Sequence, residues 1–255
     1  AFLATPEPHS MEDSLALQRD YHSVLTRRVL ALLPELAKTN PNSGGPLLTD
    51  WDQRLEADSA AAALWNVWYY RHLSPALGRT LTKDGETPAG SLDTQTTLAL
   101  LNTQQGQAAA ITSLRDAWAA TSDLLGADAS QWQWGDLHQI VFKHPLLDQA
   151  NTSLAEHMRI KPYPRGGSAN TTNNTGFGAN SFDVRSGASF RMVVDVGNWD
   201  AARMTNAPGQ SGDPRSPFYD NLLENWATEG HVPMLFSREK VDESAVFTIK
   251  LTPSN

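Results

Sequence analysis

The sequence predicts an α+β fold, mainly helical over residues 1–163 and strand-rich over 164–255. Three observations carry that expectation. Apolar residues recur at three- and four-residue spacing through Leu125. Gly, Asn, Ser and Thr accumulate between Gly166 and Ser181. Two later runs, Ser189 to Val196 and Ala245 to Leu251, are rich in β-branched and aromatic residues. Runs of helices followed by strands are the pattern of an α+β arrangement.

The first helix is expected to begin at Ser10, a hydroxyl cap ahead of Glu12 and Asp13, whose carboxylates complement the exposed amides of a first turn. Leu17, Tyr21, Leu25, Val29, Leu32 and Leu36 continue one stripe behind it, and Asn40 to Pro46 reads as a loop. Ser59 to Leu77 predicts a second long helix, apolar almost all round and therefore buried. Lys83 to Gly90 is a polar connector. Leu92 to Leu101 and Ala108 to Leu125 follow as helices, the latter stopped by Gly126. Met192 to Val196 is an uninterrupted apolar run, as in a strand buried on both faces. Ala245 to Leu251 alternates as a half-buried strand does. Pro208 to Asp220 predicts a rigid turn that leads into a helix capped by Ser216, with Pro217 at its first position, ending near Thr228.

Composition narrows the function classes. With 20 Lys plus Arg against 28 Asp plus Glu, the net charge is -8 and the pI about 5.3. No positive field favours nucleic acid or anionic lipid. The chain has no cysteine, so it can form no disulfide, thiolate metal site or cysteine nucleophile. No apolar stretch approaches the ~20 residues that span a bilayer. The opening Ala1-Phe2-Leu3-Ala4-Thr5-Pro6 lacks a basic leader followed by a long apolar run, so an attached signal peptide is not expected: either there never was one or processing removed it.

Candidate chemistry is thin. His138 and His144 lie six apart with no intervening glutamate at metalloprotease spacing, so capping or core hydrogen bonding is expected of them. Gly176 to Ser181 lacks the third glycine and the preceding strand of a dinucleotide loop. Gly209-Gln210-Ser211-Gly212 misses the spacing of a nucleophile elbow and reads as a tight turn. Asn151, Asn170 and Asn173 head glycosylation acceptor triplets, which arise often in Asn- and Thr-rich loops. Trp65, Trp68, Trp132 and Trp134 are expected to pack in the core. No nucleophile, base and orienter can be assembled, and no catalytic, substrate-binding or metal residue is assigned in this chain.

The last third carries a resemblance. Ser186 to Asp195, then Asn206-Ala207-Pro208-Gly209-Gln210-Ser211-Gly212-Asp213-Pro214, then Ser216-Pro217-Phe218-Tyr219-Asp220 closely resemble the end of the catalytic chain of the penicillin acylase family. Upstream, Glu12-Asp13, Leu17 to Asp20, Leu48 to Trp51, Asp58-Ser59-Ala60, Trp132 to His138 and His144-Pro145-Leu146 are similar to the same family. Nearly the whole chain is covered.

That resemblance implies the C-terminal part of an αββα sandwich of the N-terminal nucleophile hydrolases, one structural unit shared with companion chains from the same precursor. A serine at the start of a companion chain would attack an amide while its own α-amine takes the proton. Asparagine and backbone amides would hold the oxyanion. Ala1 has no hydroxyl, and the family's serine, oxyanion asparagine and calcium ligands lie in segments upstream of the matched region. None is carried onto a residue here, so this chain alone is expected to be inactive, with calcium placed on the companion segment. The resemblance implies a periplasmic or secreted amidase acting on a β-lactam side chain, an N-acyl homoserine lactone or a lipopeptide. The alternative is a secreted binding or scaffold module related to the acylases and without activity. Gly187-Ala188-Ser189 lacks the glutamate of some cephalosporin-acylase relatives and points away from that branch.

Overall fold

The computed structural model describes residues 8–40, 43–82, 92–178 and 180–253 and is of the α+β class. The expected connector over Lys83 to Gly90 lies outside them. Two compact units emerge, residues 19–188 and a second built from residues 1–18 and 189–255. The expected regions meet at residue 163; the compact units instead divide at 18/19 and 188/189.

In the larger unit, α2 (Val24–Ala31) starts at Ser23, whose hydroxyl accepts from Thr26 N. The single stripe expected from Ser10 to Leu36 is therefore interrupted. Asp20 Oδ1 accepts from His22 N, Ser23 N donates to Gln53 O, and Leu55 N donates to Tyr21 O. These bonds to a distant segment replace the intrahelical ones, while Tyr21, Leu25, Val29 and Leu36 still face one core. A short helix α3 (Gly45–Thr49) precedes α4 (Ala60–Val67), which Ser59 caps by accepting from Ala62 N.

The expected long helix continues as a wider π segment over Trp68–Leu73 and then α5 (Ser74–Arg79). Pro75 explains the widening. It has no N–H for the carbonyl four residues back, and its ring would press on that carbonyl. Ser74 N reaches Tyr69 O, five residues back. Helices α6 (Thr94–Leu101), capped by Asp93, and α7 (Gln104–Leu125), capped by Thr103 and ended at Gly126, pack on this rod. Trp68 Nε1 donates to Ser113 Oγ at 3.0 Å, and Trp65 stands edge-on to Trp68 at 5.8 Å.

Strands begin earlier than expected. After α8 (Trp134–Leu137) come β1 (Gln139–Ile140), α9 (Thr152–Met158), β2 (Tyr163–Pro164), β3 (Thr175–Phe177) and β4 (Val184–Gly187). They form a sheet of order β2-β1-β4-β3, antiparallel except for β1 with β4.

In the smaller unit Ser10 and Asp13 cap α1 (Met11–Gln18) reciprocally: Asp13 N donates to Ser10 Oγ and Ser10 N to Asp13 Oδ2. Gln18 Nε2 donates to Met192 O. Strands β5 (Arg191–Val193), β6 (Arg203–Thr205) and β7 (Val232–Pro233) make an antiparallel sheet, with helices α10 (Leu223–Ala227) and α11 (Arg238–Ser244) beside them in sequence.

Three expectations fail in this unit. Met192 to Val196 is not buried on both faces: β5 is a three-residue edge strand, Met192 is 48% and Val196 83% exposed, and Asp195 ends it by accepting from Gly197 N and Asn198 N. Ala245 to Leu251 is not a strand, because no partner among the described residues pairs with it. Ser216 does not cap a helix. Its hydroxyl accepts from Phe218 N in a local turn, and α10 starts only at Leu223, ending before Thr228 as expected.

Candidate functional site

The residues singled out in the sequence converge most clearly around His138, inside the larger unit. Trp134 and His138 sit one helical turn apart across α8, so their rings stack at 4.6 Å. Phe177 stands edge-on to His138 at 5.5 Å, and Phe182 edge-on to Trp134 at 5.3 Å. His138 is fully buried. Its Nδ1 lies 2.5 Å from Phe182 O, and since only an N–H can bond a carbonyl, Nδ1 carries the proton. Nε2 has no hydrogen-bond partner among the described residues. Burial pushes the imidazole pKa down from 6.5 to about 4, the Phe182 carbonyl opposing and Arg165 reinforcing the fall. The ring is neutral at pH 7 and sealed from solvent, which suits positioning and not proton transfer to a substrate.

The Gly- and Asn-rich segment after β2 folds as a knot of local hydrogen bonds. Thr175 Oγ1 donates to Gly166 O, Ser168 N to Thr171 Oγ1, Thr171 Oγ1 to Asn173 O, and Arg165 Nη2 to Asn173 Oδ1. Asn173 N reaches Asp20 O, Gly167 N reaches Leu55 O, and Trp134 Nε1 donates to Gly167 O, tying four chain segments together. Gly167 has φ +85°, and a Cβ there would lie 2.5 Å from Thr175 Oγ1 and 2.8 Å from the Tyr21 ring. Asn170 Nδ2 donates to the Tyr70 hydroxyl, whose pKa burial pushes up to about 12. Arg71 lies over the Phe182 ring at 3.9 Å.

Sequence reasoning missed Arg165, Tyr70 and Arg71. A lone arginine between Pro164 and Gly166-Gly167 was the one available signal for the first. The other expected roles are met by geometry. Trp65, Trp68, Trp132 and Trp134 are core residues. His144 Nδ1 accepts from Leu146 N in a local turn. Asn151 caps α9 by accepting from Leu154 N.

Ser211 sits in a closed turn. Gln210 N and Ser211 N both donate to Phe218 O, Leu222 N donates to Pro208 O, and the Ser211 hydroxyl accepts from Asp213 N. A Cβ on Gly209 would lie 2.3 Å from Phe218 O, so only glycine fits that crossing. A surface groove of about 500 Å³ runs between Val141–Leu147 and Arg159–Pro162, with Lys143, Arg159 and Lys161 on its walls. Among the described residues no cluster of three or more His, Asp or Glu could hold a metal ion, and no helix is long and apolar enough to cross a membrane.

The two units are a helical body closed by short strands and a small sheet carrying the glycine-locked turn. The penicillin amidase family model matches residues 1–243, and the chain belongs to that family. Penicillin acylase 2 proenzyme of Pseudomonas sp. strain SE83 is 29% identical over 228 residues, 81% of this chain and 28% of that protein. The acyl-homoserine lactone acylase QuiP of Pseudomonas putida is 37% identical over 115 residues, 45% of this chain and 14% of its own length. The thermostable penicillin G acylase of Alcaligenes faecalis shares the fold at a TM-score of 0.55 and 18% identity, over 99% of this chain and 51% of that one. The chain thus spans less than a third of the two Pseudomonas proteins and about half of the Alcaligenes chain.

Proposed function

We propose that these residues form the C-terminal portion of a linear-amide hydrolase whose N-terminal serine is carried on a polypeptide segment outside them. The family match over residues 1–243 carries the reading. In the reaction, the serine Oγ bonds to the amide carbonyl carbon as the α-amine takes its proton. The C–N bond then breaks, the amine leaves with that proton, and water releases the acyl ester as a carboxylic acid. This chain's contribution is architectural: the His138 box, the 165–175 knot and the turn at Pro208 to Asp220 hold backbone in place, and no step is assigned to their side chains.

The substrate is an acyl amide of a β-lactam, an N-acyl homoserine lactone or a lipopeptide. The first two follow from the relatives, a penicillin acylase and an acyl-homoserine lactone acylase. Calcium is placed on the companion segment by the family resemblance alone, and no step passes through the ion. The protein is placed in the periplasm or outside the cell.

The test is expression of the full-length protein, followed by intact mass and N-terminal sequencing of every polypeptide that copurifies. A chain beginning with serine, and hydrolysis of a chromogenic phenylacetyl or octanoyl amide lost when that serine becomes alanine, are expected. Hydrolysis by residues 1–255 alone would refute the assignment. A full-length protein that binds but never cleaves such amides would establish the scaffold alternative.

A further inference from the structure

We infer that the groove between residues 141–147 and 159–162 is a binding site for a straight-chain carboxylate, whose acid group lies among Arg159, Lys161 and Lys143 and whose hydrocarbon lies along the apolar walls. The hydrolysis proposed above makes no use of this groove. It is built within the larger unit, where the chain leaves β1 and returns to β2.

Two cations oppose each other there. Lys143 and Arg159 are partners in an isolated antiparallel bridge, and like charges directly opposite one another on paired backbones are destabilising. Lys161 follows two residues after Arg159, the spacing that returns a side chain to the same face of an extended segment, and it too lines the groove. Lys143 Nζ meets Asp148 Oδ2 at 2.7 Å, but both side chains are more than half exposed, so water screens that pair. Arg159 and Lys161 have no side-chain partner among the described residues. On a chain of net charge -8 these three cations reverse the local sign, and an anion seated among them relieves the repulsion across the bridge.

The walls decide what the anion carries. Val141, Phe142, Leu147, Ile160 and Pro162 supply apolar surface, with Val141 49% exposed. The volume of about 500 Å³ falls within the roughly 300–1,000 Å³ of small-molecule sites. Inorganic phosphate would leave those walls wet. An acidic peptide would press its own N–H and C=O groups against them, beside Pro162, which has no N–H to offer in return. A hydrocarbon chain ending in one carboxylate meets both demands: the Arg159 guanidinium takes the two oxygens in its planar fork, and the chain removes apolar wall from water.

Calorimetric titration of the full-length protein with decanoate tests this. Saturable binding is expected, weakened at least tenfold by Arg159→Glu and at least threefold by Lys161→Gln. Arg159→Glu sets opposite charges across the bridge, so its thermal midpoint should equal or exceed that of the parent protein, which separates lost binding from lost folding. Decanoate should also slow acetylation of Lys161 at least fivefold. Decanol and inorganic phosphate, each carrying half of the ligand's chemistry, should bind at least tenfold more weakly. Affinity unchanged by Arg159→Glu would overturn the inference. So would phosphate binding as tightly as decanoate, which would leave a plain anion site, or an acidic peptide displacing decanoate at equal affinity, which would make a peptide the occupant. Lys161 inert to acetylation before any decanoate is added would show the groove already filled by the protein's own chain or a second copy, and would overturn it too. Amide hydrolysis is measured on the same samples: decanoate binding in a protein that hydrolyses no amide refutes the acylase reading and leaves the groove assignment standing.

Discussion

Acidification should unfold the larger unit through His138 before most carboxylates titrate. The imidazole has a pKa of about 4 in the folded chain against 6.5 for an unperturbed histidine. The unfolded state therefore binds the proton first, and stability falls as pH drops. The contribution is intact above pH 6.5, is lost progressively between 6.5 and 4, and is constant below 4. A gap of two to three pH units at 1.36 kcal/mol each amounts to about 3 kcal/mol, a large share of a typical domain's stability of roughly 5–15 kcal/mol. Urea midpoints followed by near-ultraviolet circular dichroism, which reports the Trp134 stack, should be measured at pH 7.5, 5.5 and 4.2. His138→Phe keeps the stack and cannot titrate, so its midpoint should be lower at pH 7.5 but flatter with pH. The difference between the two proteins isolates the histidine from every carboxylate. Parallel loss of stability in the two across that window would show that His138 is protonated in the folded protein, and the account of a neutral, sealed ring would be refuted.

Three further outcomes follow from the packing. Gly167→Ala forces a side chain into a left-handed backbone and into Thr175 and Tyr21, and should lower stability by about 2–4 kcal/mol in denaturant titration; a loss under 0.5 kcal/mol would contradict it. Ser59→Ala removes a helix cap and should cost about 1 kcal/mol, whereas Ser216→Ala removes only a local turn contact and should stay within about 0.5 kcal/mol; equal losses would mean that Ser216 caps a helix after all. Trp68→Ala empties the centre of the helical body and removes the indole donor to the Ser113 hydroxyl, which keeps its bond to Ala110 O, so a loss of about 3–5 kcal/mol in chemical unfolding is expected, and one below 1 kcal/mol would show the site collapsing freely.

Local chemistry was legible wherever one residue decides the outcome. Ser10, Ser59 and Gly126 marked helix ends correctly because capping needs only a few neighbouring atoms. The tryptophans were recognisable as core by size and spacing. What escaped depends on distant partners. Periodicity shows which face is dry but not whether the helix is continuous, so the break at Asp20 to Ser23, made by bonds to residues 53–55, left no trace in the stripe. Ala245 to Leu251 has the composition of a strand, yet a strand exists only where another backbone accepts it, and Met192 to Val196 pairs with β6 only as far as Val193. The His138 cluster joins Trp134, Phe177 and Phe182 from separate segments and has no contiguous motif. The family resemblance carried what composition and spacing could not, through the turn residues at Asn206 to Asp220.

The knot at Arg165 to Thr175 has a consequence for making this protein in a foreign host. A glycosylating secretory pathway reads Asn170 and Asn173 as acceptors, yet Asn173 is buried with its amide oxygen facing Arg165, and the Asn170 amide nitrogen is engaged by Tyr70. Asn173 cannot receive a sugar once the loop has closed, whereas Asn170 stays exposed. A glycan added to Asn173 during synthesis would have to be accommodated in the buried space beside Arg165 and the Asp20 backbone, and folding of the larger unit would stop there. The decoration that solubilises most secreted proteins would act on this chain as a poison, and bacterial expression, or removal of the acceptor by Thr175→Val at the cost of the Gly166 bond, becomes a choice set by one loop.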